Sequence, residues 1–489
     1  MNLPFPTAGL WMLLALALLI VGTGLPVWAL LIGTASLFAA SGWATGLIDA
    51  NVLSAISGRT LGLLEHDLLQ ALPLYVFVGV LLQRLTVADS LFSSLAWLFR
   101  RTGAGTSVAA FGVGALVAPM NGSVASSSAM LARLVAPRLG QMDSAAAIAL
   151  ISASSTIGVV VPPSLVLILL GDAMLRAHTE ASNLPGYVLG GQRIINTQDV
   201  FHAALLPAAC VLALWLLVAS WQGRKVPSKQ PAAPVRGMQW VVSIAVAVVT
   251  LALLGGVFAG KIFAVEAAAT GAMALVCATL ATRSLKWSQW QAVLSDTLSL
   301  SGALLALLVG ASTFSLVFRL WGTDVWITQA VLASPWSPLL TAALVLLLVA
   351  LCAWVLDAFE MIFVVIPIVA PLLVVQLGDA QQAAVLLLLV LQLSFLIPPM
   401  GYAVMMARSR SGLVNPSIWA TLWGLLPYIV VQCAVTAFVF MVPWTVHQLD
   451  AAEPTTTQEA PASNAEVEQL MRDMTDQTNA DGDTTRKPE

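Results

Sequence analysis

Two stretches decide how this chain folds: Ser152-Ala153-Ser154-Ser155-Thr156-Ile157-Gly158-Val159-Val160-Val161-Pro162-Pro163 and Leu391-Gln392-Leu393-Ser394-Phe395-Leu396-Ile397-Pro398-Pro399-Met400-Gly401. Each places a Pro-Pro pair inside an otherwise apolar run, so each reads as two half-helices with a gap. Proline removes a backbone donor and pushes the preceding residue out of the helical region, leaving carbonyls and amides without intrahelical partners. A bilayer tolerates such a break only where protein or a polar cavity satisfies those groups, and paired breaks in corresponding halves mark a transporter's central site.

The surroundings of the two stretches are those of a membrane protein. Of 489 residues, 59% are hydrophobic and 9% charged, with a mean hydropathy of +0.91, far from the roughly 25% charge of globular domains. The net charge of −3 comes from the tail, where residues 450–489 hold ten acidic and three basic residues; the rest has 18 basic against 14 acidic. That tail, rich in Thr, Ala, Gln, Asp and Glu, has almost nothing to bury and reads as disordered. Cys210, Cys277, Cys352 and Cys433 lie in apolar runs at unrelated spacings, and His66, His178, His202 and His447 are equally scattered. Neither a disulfide framework nor a transition-metal site is expected. The apolar run from Ala8 to Gly22 lacks a basic flank and a small-residue cleavage site, so it reads as a retained helix.

Outward from the breaks, the same order of elements occurs twice. Leu72 to Leu85 is a spanning run, and Ala88 to Phe99 is amphipathic, as for a helix along the interface or at the bundle edge. Ser107 to Ala118 stops at Pro119-Met120-Asn121-Gly122-Ser123 and returns through Leu134-Val135-Ala136-Pro137. Its arms are shorter than the ~20 residues a crossing needs, which predicts a re-entrant hairpin. Val309 to Leu320 and Asp324 to Leu332 answer the first two elements. A second hairpin has its polar point at Asp357-Ala358-Phe359-Glu360 and returns through Ile368-Val369-Ala370-Pro371. From Pro137 to Pro162 is 25 residues and from Pro371 to Pro398 is 27. The two units read as internal repeats.

Positive charge gives the orientation. With one crossing per span and hairpins that return to their own face, Arg100, Arg101, Arg133, Arg138, Arg224 to Arg236, Arg283, Lys286, Arg408 and Arg410 share one side, the cytoplasmic one. The repeats then run in opposite directions, and both termini and the stretch from Asp172 to Val200 lie outside. The expected architecture is an all-α polytopic membrane protein of inverted repeats. Residues 1–71 supply scaffold helices and a connection, 72–223 the first repeat with its hairpin near 107–138, and 224–240 a basic cytoplasmic linker. Central scaffold helices occupy 241–290, the second repeat 291–448 with its hairpin near 338–376, and the acidic tail 449–489.

The candidate site residues gather at hairpin tips and breaks. Asn121, Gly122, Ser123 and Ser126, with Ser127 and Ser128, at the first tip and Ser152, Ser154, Ser155 and Thr156 opposite offer the oxygens a hard cation prefers. Any single serine reads first as a small packing residue; the cluster at a break, where carbonyls collect, reads as an ion site. Asp357 and Glu360 are one helical turn apart in an apolar hairpin, where an acidic side chain is costly unless paired, hydrated or protonated. Either they serve transport, or they pair with an arginine such as Arg319 or pin the hairpin by hydrogen bonds. Asp357 and Ser394 join the candidate ion ligands. Gly158, Pro162, Pro163, Glu360, Pro398, Pro399 and Gly401 are placed around a substrate held between the breaks, whose half-helix ends supply amides for a carboxylate.

From about Pro26 to Val442 these residues resemble the large membrane subunit of a tripartite ATP-independent periplasmic (TRAP) transporter. The likeness rests on Asn121-Gly122-Ser123-Val124-Ala125-Ser126, Thr156-Ile157-Gly158, Val161-Pro162-Pro163-Ser164, Gly255-Gly256-Val257-Phe258 before Glu266-Ala267-Ala268-Ala269, Leu356-Asp357, and Ser394-Phe395-Leu396-Ile397-Pro398-Pro399-Met400-Gly401. The first hairpin departs from the common Ser-Gly-Ser-Ser-Val-Ala by having Asn121 and one residue fewer. The resemblance implies a scaffold with an elevator-type transport domain in a bacterial inner membrane and symport with sodium as the coupling ion, with no organic cofactor. It also implies delivery of a small organic acid, carboxylate or oxo acid by a periplasmic binding protein, and a four-helix small membrane subunit that is not fused here. Nothing points to nucleic acid. A self-sufficient ion-coupled carboxylate carrier is the alternative. An intramembrane enzyme would need a paired nucleophile and base or two aspartates, and Asp357 has no such partner in the sequence.

Overall fold

In a computed structural model the helices run from Ala8 to Met441 and, among the described residues, there is no strand. The structure describes residues 7–49, 57–58, 61–62, 67–118, 123–139, 142–161, 164–182, 184, 195–224, 235 and 237–449. All these helices fall within one compact unit, Met1–Gln448, and the acidic tail lies outside the described residues. Among the described residues six helices are long and apolar enough to cross a bilayer, or up to eight spans if two bent helix pairs each count as one.

The chain opens with α1 (Ala8–Thr23) and α2 (Val27–Ala44). The first repeat follows as α3 (Asp67–Arg84), α4 (Val87–Leu98), α5 (Gly105–Val117), α6 (Val124–Val135), α7 (Ser144–Val160), α8 (Leu165–Ala181) and α9 (Thr197–Arg224). Then come α10 (Gly237–Phe258) and α11 (Ala264–Ala281). The second repeat is α12 (Trp287–Leu320), α13 (Thr323–Leu332), α14 (Pro338–Ala353), a turn Ala358–Glu360 running through a π-helical turn Met361–Val365 into α15 (Ile366–Leu377), α16 (Ala380–Ser394), α17 (Tyr402–Arg410) and α18 (Ile418–Met441). Element for element, the order anticipated from the sequence is present twice.

The hairpin arms behave as their lengths require. At 13 and 12 residues, α5 and α6 are each about 18–20 Å long, well short of a ~30 Å hydrocarbon core. The second hairpin has one short arm, α14, and a longer return from Ala358 to Leu377 that by itself reaches the length of a span. The amphipathic α4 turns away from α3 by 66° and buries Ala88, Ser90, Leu91, Phe92 and Ser94 against α5 and α10. It is therefore a packed element and not only a surface one.

Packing relates the repeats by exchange. The post-break half α8 packs on α15, the return arm of the second hairpin, while the post-break half α17 packs on α6, the return arm of the first. Each pre-break half, α7 and α16, packs on the arms of its own hairpin, and the two also meet each other at the centre. Arg84 at the end of α3 bonds Asp296 in the first third of α12, as antiparallel neighbours do.

Burial separates two kinds of apolar helix that composition leaves alike. In α7 every residue from Ala147 to Val160 is buried, and α16 is buried from Gln382 to Gln392. By contrast α10 buries only Ser243, Thr250 and Val257, so its apolar surface faces outward, as toward lipid. The turn from α10 to α11 explains one of the quoted motifs: Gly260 has φ +65°, and Glu266 Oε2 accepts from the Phe263 N–H at 3.0 Å, capping α11.

Candidate functional site

The first hairpin and the first break make a narrow cleft of about 10 Å³, just large enough for one water-sized particle. Ser123, Ser127, Ser155, Gly158 and Ser164 line it with Ala118, Val124, Val159, Leu165 and Val166. Ser123 enters it because it is the extended residue just before α6. Ser164 straddles the break, donating to Val159 O and accepting from the Leu167 N–H, each at 3.0 Å. That one hydroxyl ties the end of α7 to the start of α8. Ser128 Oγ donates to Ser155 Oγ at 2.7 Å, and Ser155 Oγ donates to Ser152 O at 2.8 Å, so Ser155 keeps its place between the hairpin and the broken helix.

Close approach of α5 to α7 requires glycine. A Cβ on Gly158 would stand 2.5 Å from Ala118 Cβ and 2.6 Å from the Ala118 carbonyl carbon, and one on Gly114 would stand 2.3 Å from Ser154 O. Gly158 lines the cleft and also lets the hairpin sit on the break.

Other predicted ligands are placed elsewhere. Ser126 bonds Gln83 of α3 through its hydroxyl, and Thr156 Oγ1 and Ser394 Oγ donate back to their own helices, to Ala153 O at 3.0 Å and Val390 O at 2.8 Å. None of these three lines the cleft. Asn121, Gly122, Pro162 and Pro163 lie outside the described residues.

The second hairpin tip is chemically different. The Asp357 N–H donates to Glu360 Oε2 at 3.1 Å, a local bond that caps the return arm. Asp357 Oδ1 is buried and has no hydrogen-bond partner among the described residues. Pairing with Arg319 is not what the structure shows, since Arg319 bonds Glu180 at 2.5 Å. Across from this tip, Trp354 Nε1 donates to Ile397 O at 2.8 Å, and the Gly401 N–H donates to the same carbonyl at 2.9 Å. The break from Phe395 to Gly401 therefore satisfies that carbonyl within the protein. Gly401 is required there, because a Cβ would stand 2.7 Å from both Phe395 O and Ile397 O. Pro398 is buried and Pro399 exposed beside it.

Thus the structure gathers Ser123, Ser155 and Gly158 at one tip, and Asp357 and Glu360 at the other opposite the Pro398 to Gly401 break. Ser127, part of the hydroxyl cluster expected from sequence, lines the cleft; Ser164 and Trp354 were not singled out from sequence as ligands, although Ser164 directly follows a Pro-Pro pair.

With this geometry, a family model described as the tripartite ATP-independent periplasmic transporter, DctM component, matches residues 10–445. The chain belongs to that family. Among relatives of this TRAP component, the sialic acid TRAP transporter permease protein SiaT of Haemophilus influenzae (strain 86-028NP) is 22% identical over 432 residues, 87% of this chain. The chain spans 65% of the length of that curated relative. In fold it is similar to the crystal structure of the Alcanivorax borkumensis YdaH transporter, described as having an unusual topology, with a TM-score of 0.58 and 16% identity over 91% of this chain and 100% of that one. As a TRAP permease component with many apolar helices, the protein is a multi-pass protein of the bacterial inner membrane and not an enzyme.

Proposed function

We propose that this permease imports a small organic acid by sodium symport, taking it from a periplasmic binding protein and working with a small four-helix membrane subunit. The observation that carries the reading is the hydroxyl-lined cleft where the first hairpin tip meets the first break. Its size suits one ion, and hydroxyl and carbonyl oxygens suit a hard cation. The second tip contributes a carboxylate with a buried, unpartnered oxygen, which a cation would neutralise. The substrate lies between the breaks, its carboxylate toward the first turns of α8 and α17, where helix dipoles favour negative charge. A relative named for sialic acid supports the acid class and no finer choice. The exchange packing of the repeats supports an elevator in which the hairpins and broken helices move as a body against α2, α3, α10, α11 and α12.

The test is reconstitution with the two partners and the acid recovered from the binding protein. Uptake is expected to need both external sodium and the binding protein. Undiminished uptake with potassium in place of sodium under a proton gradient, or uptake without the binding protein, would overturn the reading.

A further inference from the structure

We infer that Gln392 is a positioning residue that holds the two broken helices in register. Gln392 lies six residues before Pro398, and Thr156 lies six residues before Pro162. These are equivalent positions in the two repeats, and they meet: Gln392 Nε2 donates to Thr156 O at 3.4 Å. The other end of the same amide is held, since Gln432 Nε2 of α18 donates to Gln392 Oε1 at 2.9 Å and also to Leu389 O at 3.1 Å. Thr156, Gln392 and Gln432 all have 0% exposure. One amide thus joins α7, α16 and α18 at the point where the halves of the molecule cross, less than two helical turns before either break.

A buried amide at such a crossing is not there for stability. Interhelical side-chain bonds in membranes add little net stability, and an apolar side chain of similar volume would fill the space. What the amide adds is direction: its bonds are made at one axial offset of α7 against α16, whereas apolar side chains tolerate sliding. A single buried polar residue that fixes register is the best-attested use of such groups. Because each break follows its half-helix directly, that offset sets the distance between the two half-helix ends on which the substrate reading depends.

The inference rests on the substrate lying between the breaks, and its test needs neither substrate nor sodium. In the full chain with the four native cysteines replaced, spin labels are attached at Thr179→Cys on α8 and Ser409→Cys on α17, both exposed, and their distance distribution is measured by pulsed electron resonance. A single narrow distribution is expected with Gln392. Gln392→Leu removes both bonds of the amide and leaves buried Gln432 short of a partner, so it is expected to broaden the distribution about twofold or shift it and to lower the melting temperature as well. Gln432→Leu, which removes the partner and leaves the contact with Thr156, should show a smaller change of the same kind. A Gln392→Leu distribution that superimposes on the parent would overturn the proposal. If Gln392→Leu does not accumulate, an unchanged distribution in Gln432→Leu overturns it. Loss of sodium dependence in uptake, with the distance effect intact, would instead count against the coupling reading alone.

Discussion

Glu180 of α8 and Arg319 of α12 form an ion pair at 2.5 Å that ties the post-break half of the first broken helix to a helix of the proposed scaffold. The pair also accounts for Arg319, which is thereby unavailable to the acidic hairpin. At side-chain exposures of 33% and 28%, such a pair contributes about 0.2–1 kcal/mol and is screened by salt. A double-mutant cycle of Glu180→Gln and Arg319→Gln, read as detergent unfolding at low salt, is expected to give a coupling in that range that shrinks at high salt. Strict additivity of the two single changes would show that they do not interact. If the domains slide as proposed, this contact belongs to one end state only.

Glycine at 158 is a matter of space. Gly158→Ala drives a methyl into the Ala118 backbone at 2.6 Å, and overpacking of this kind costs about 1–3 kcal/mol. The variant is expected to melt at clearly lower temperature. Gly33→Ala in α2, where nothing lies within 4 Å, is expected to leave stability unchanged or raise it by up to ~1 kcal/mol through helix propensity. Equal melting temperatures for both variants would contradict the packing of α5 on α7.

Asp357→Asn preserves volume and the backbone N–H that Glu360 accepts from, and removes only the charge. It is expected to accumulate and assemble normally while losing sodium-driven uptake. Stabilisation of the purified protein by sodium chloride relative to choline chloride should also fall. Near-normal uptake at equal protein in the membrane would remove Asp357 from the mechanism and leave Glu360 and the serine cleft to carry it.

Orientation is checked at two exposed serines. With the native cysteines replaced, Ser409→Cys at the end of α17, between Arg408 and Arg410, is expected to be labelled from the cytoplasm, and Ser182→Cys just after α8 from outside. Labelling of both from the same face would mean that the post-break halves run in the same direction, against the inverted arrangement.

The sequence alone determined that this is a helical membrane protein with two units of the same order. Those properties are written in one dimension: apolar runs need only lengths near a bilayer's thickness, and a Pro-Pro pair breaks a helix wherever it stands. Asp357 and the serines at the first tip were legible for the same reason, because a polar residue in an apolar run is costly and so conspicuous. Only the tertiary structure decided which of them act together. Ser126 and Ser127 are neighbours in α6 and look equivalent in sequence, yet Ser126 turns to Gln83 of α3 while Ser127 lines the cleft, because successive helical positions point about 100° apart. Likewise α7 and α10 are both uncharged and mainly apolar, and only packing makes one the buried centre and the other an outward face. The meeting of Gln392 with Thr156 is a contact across 236 residues of chain; it depends on the offset between two packed helices, which no local pattern encodes.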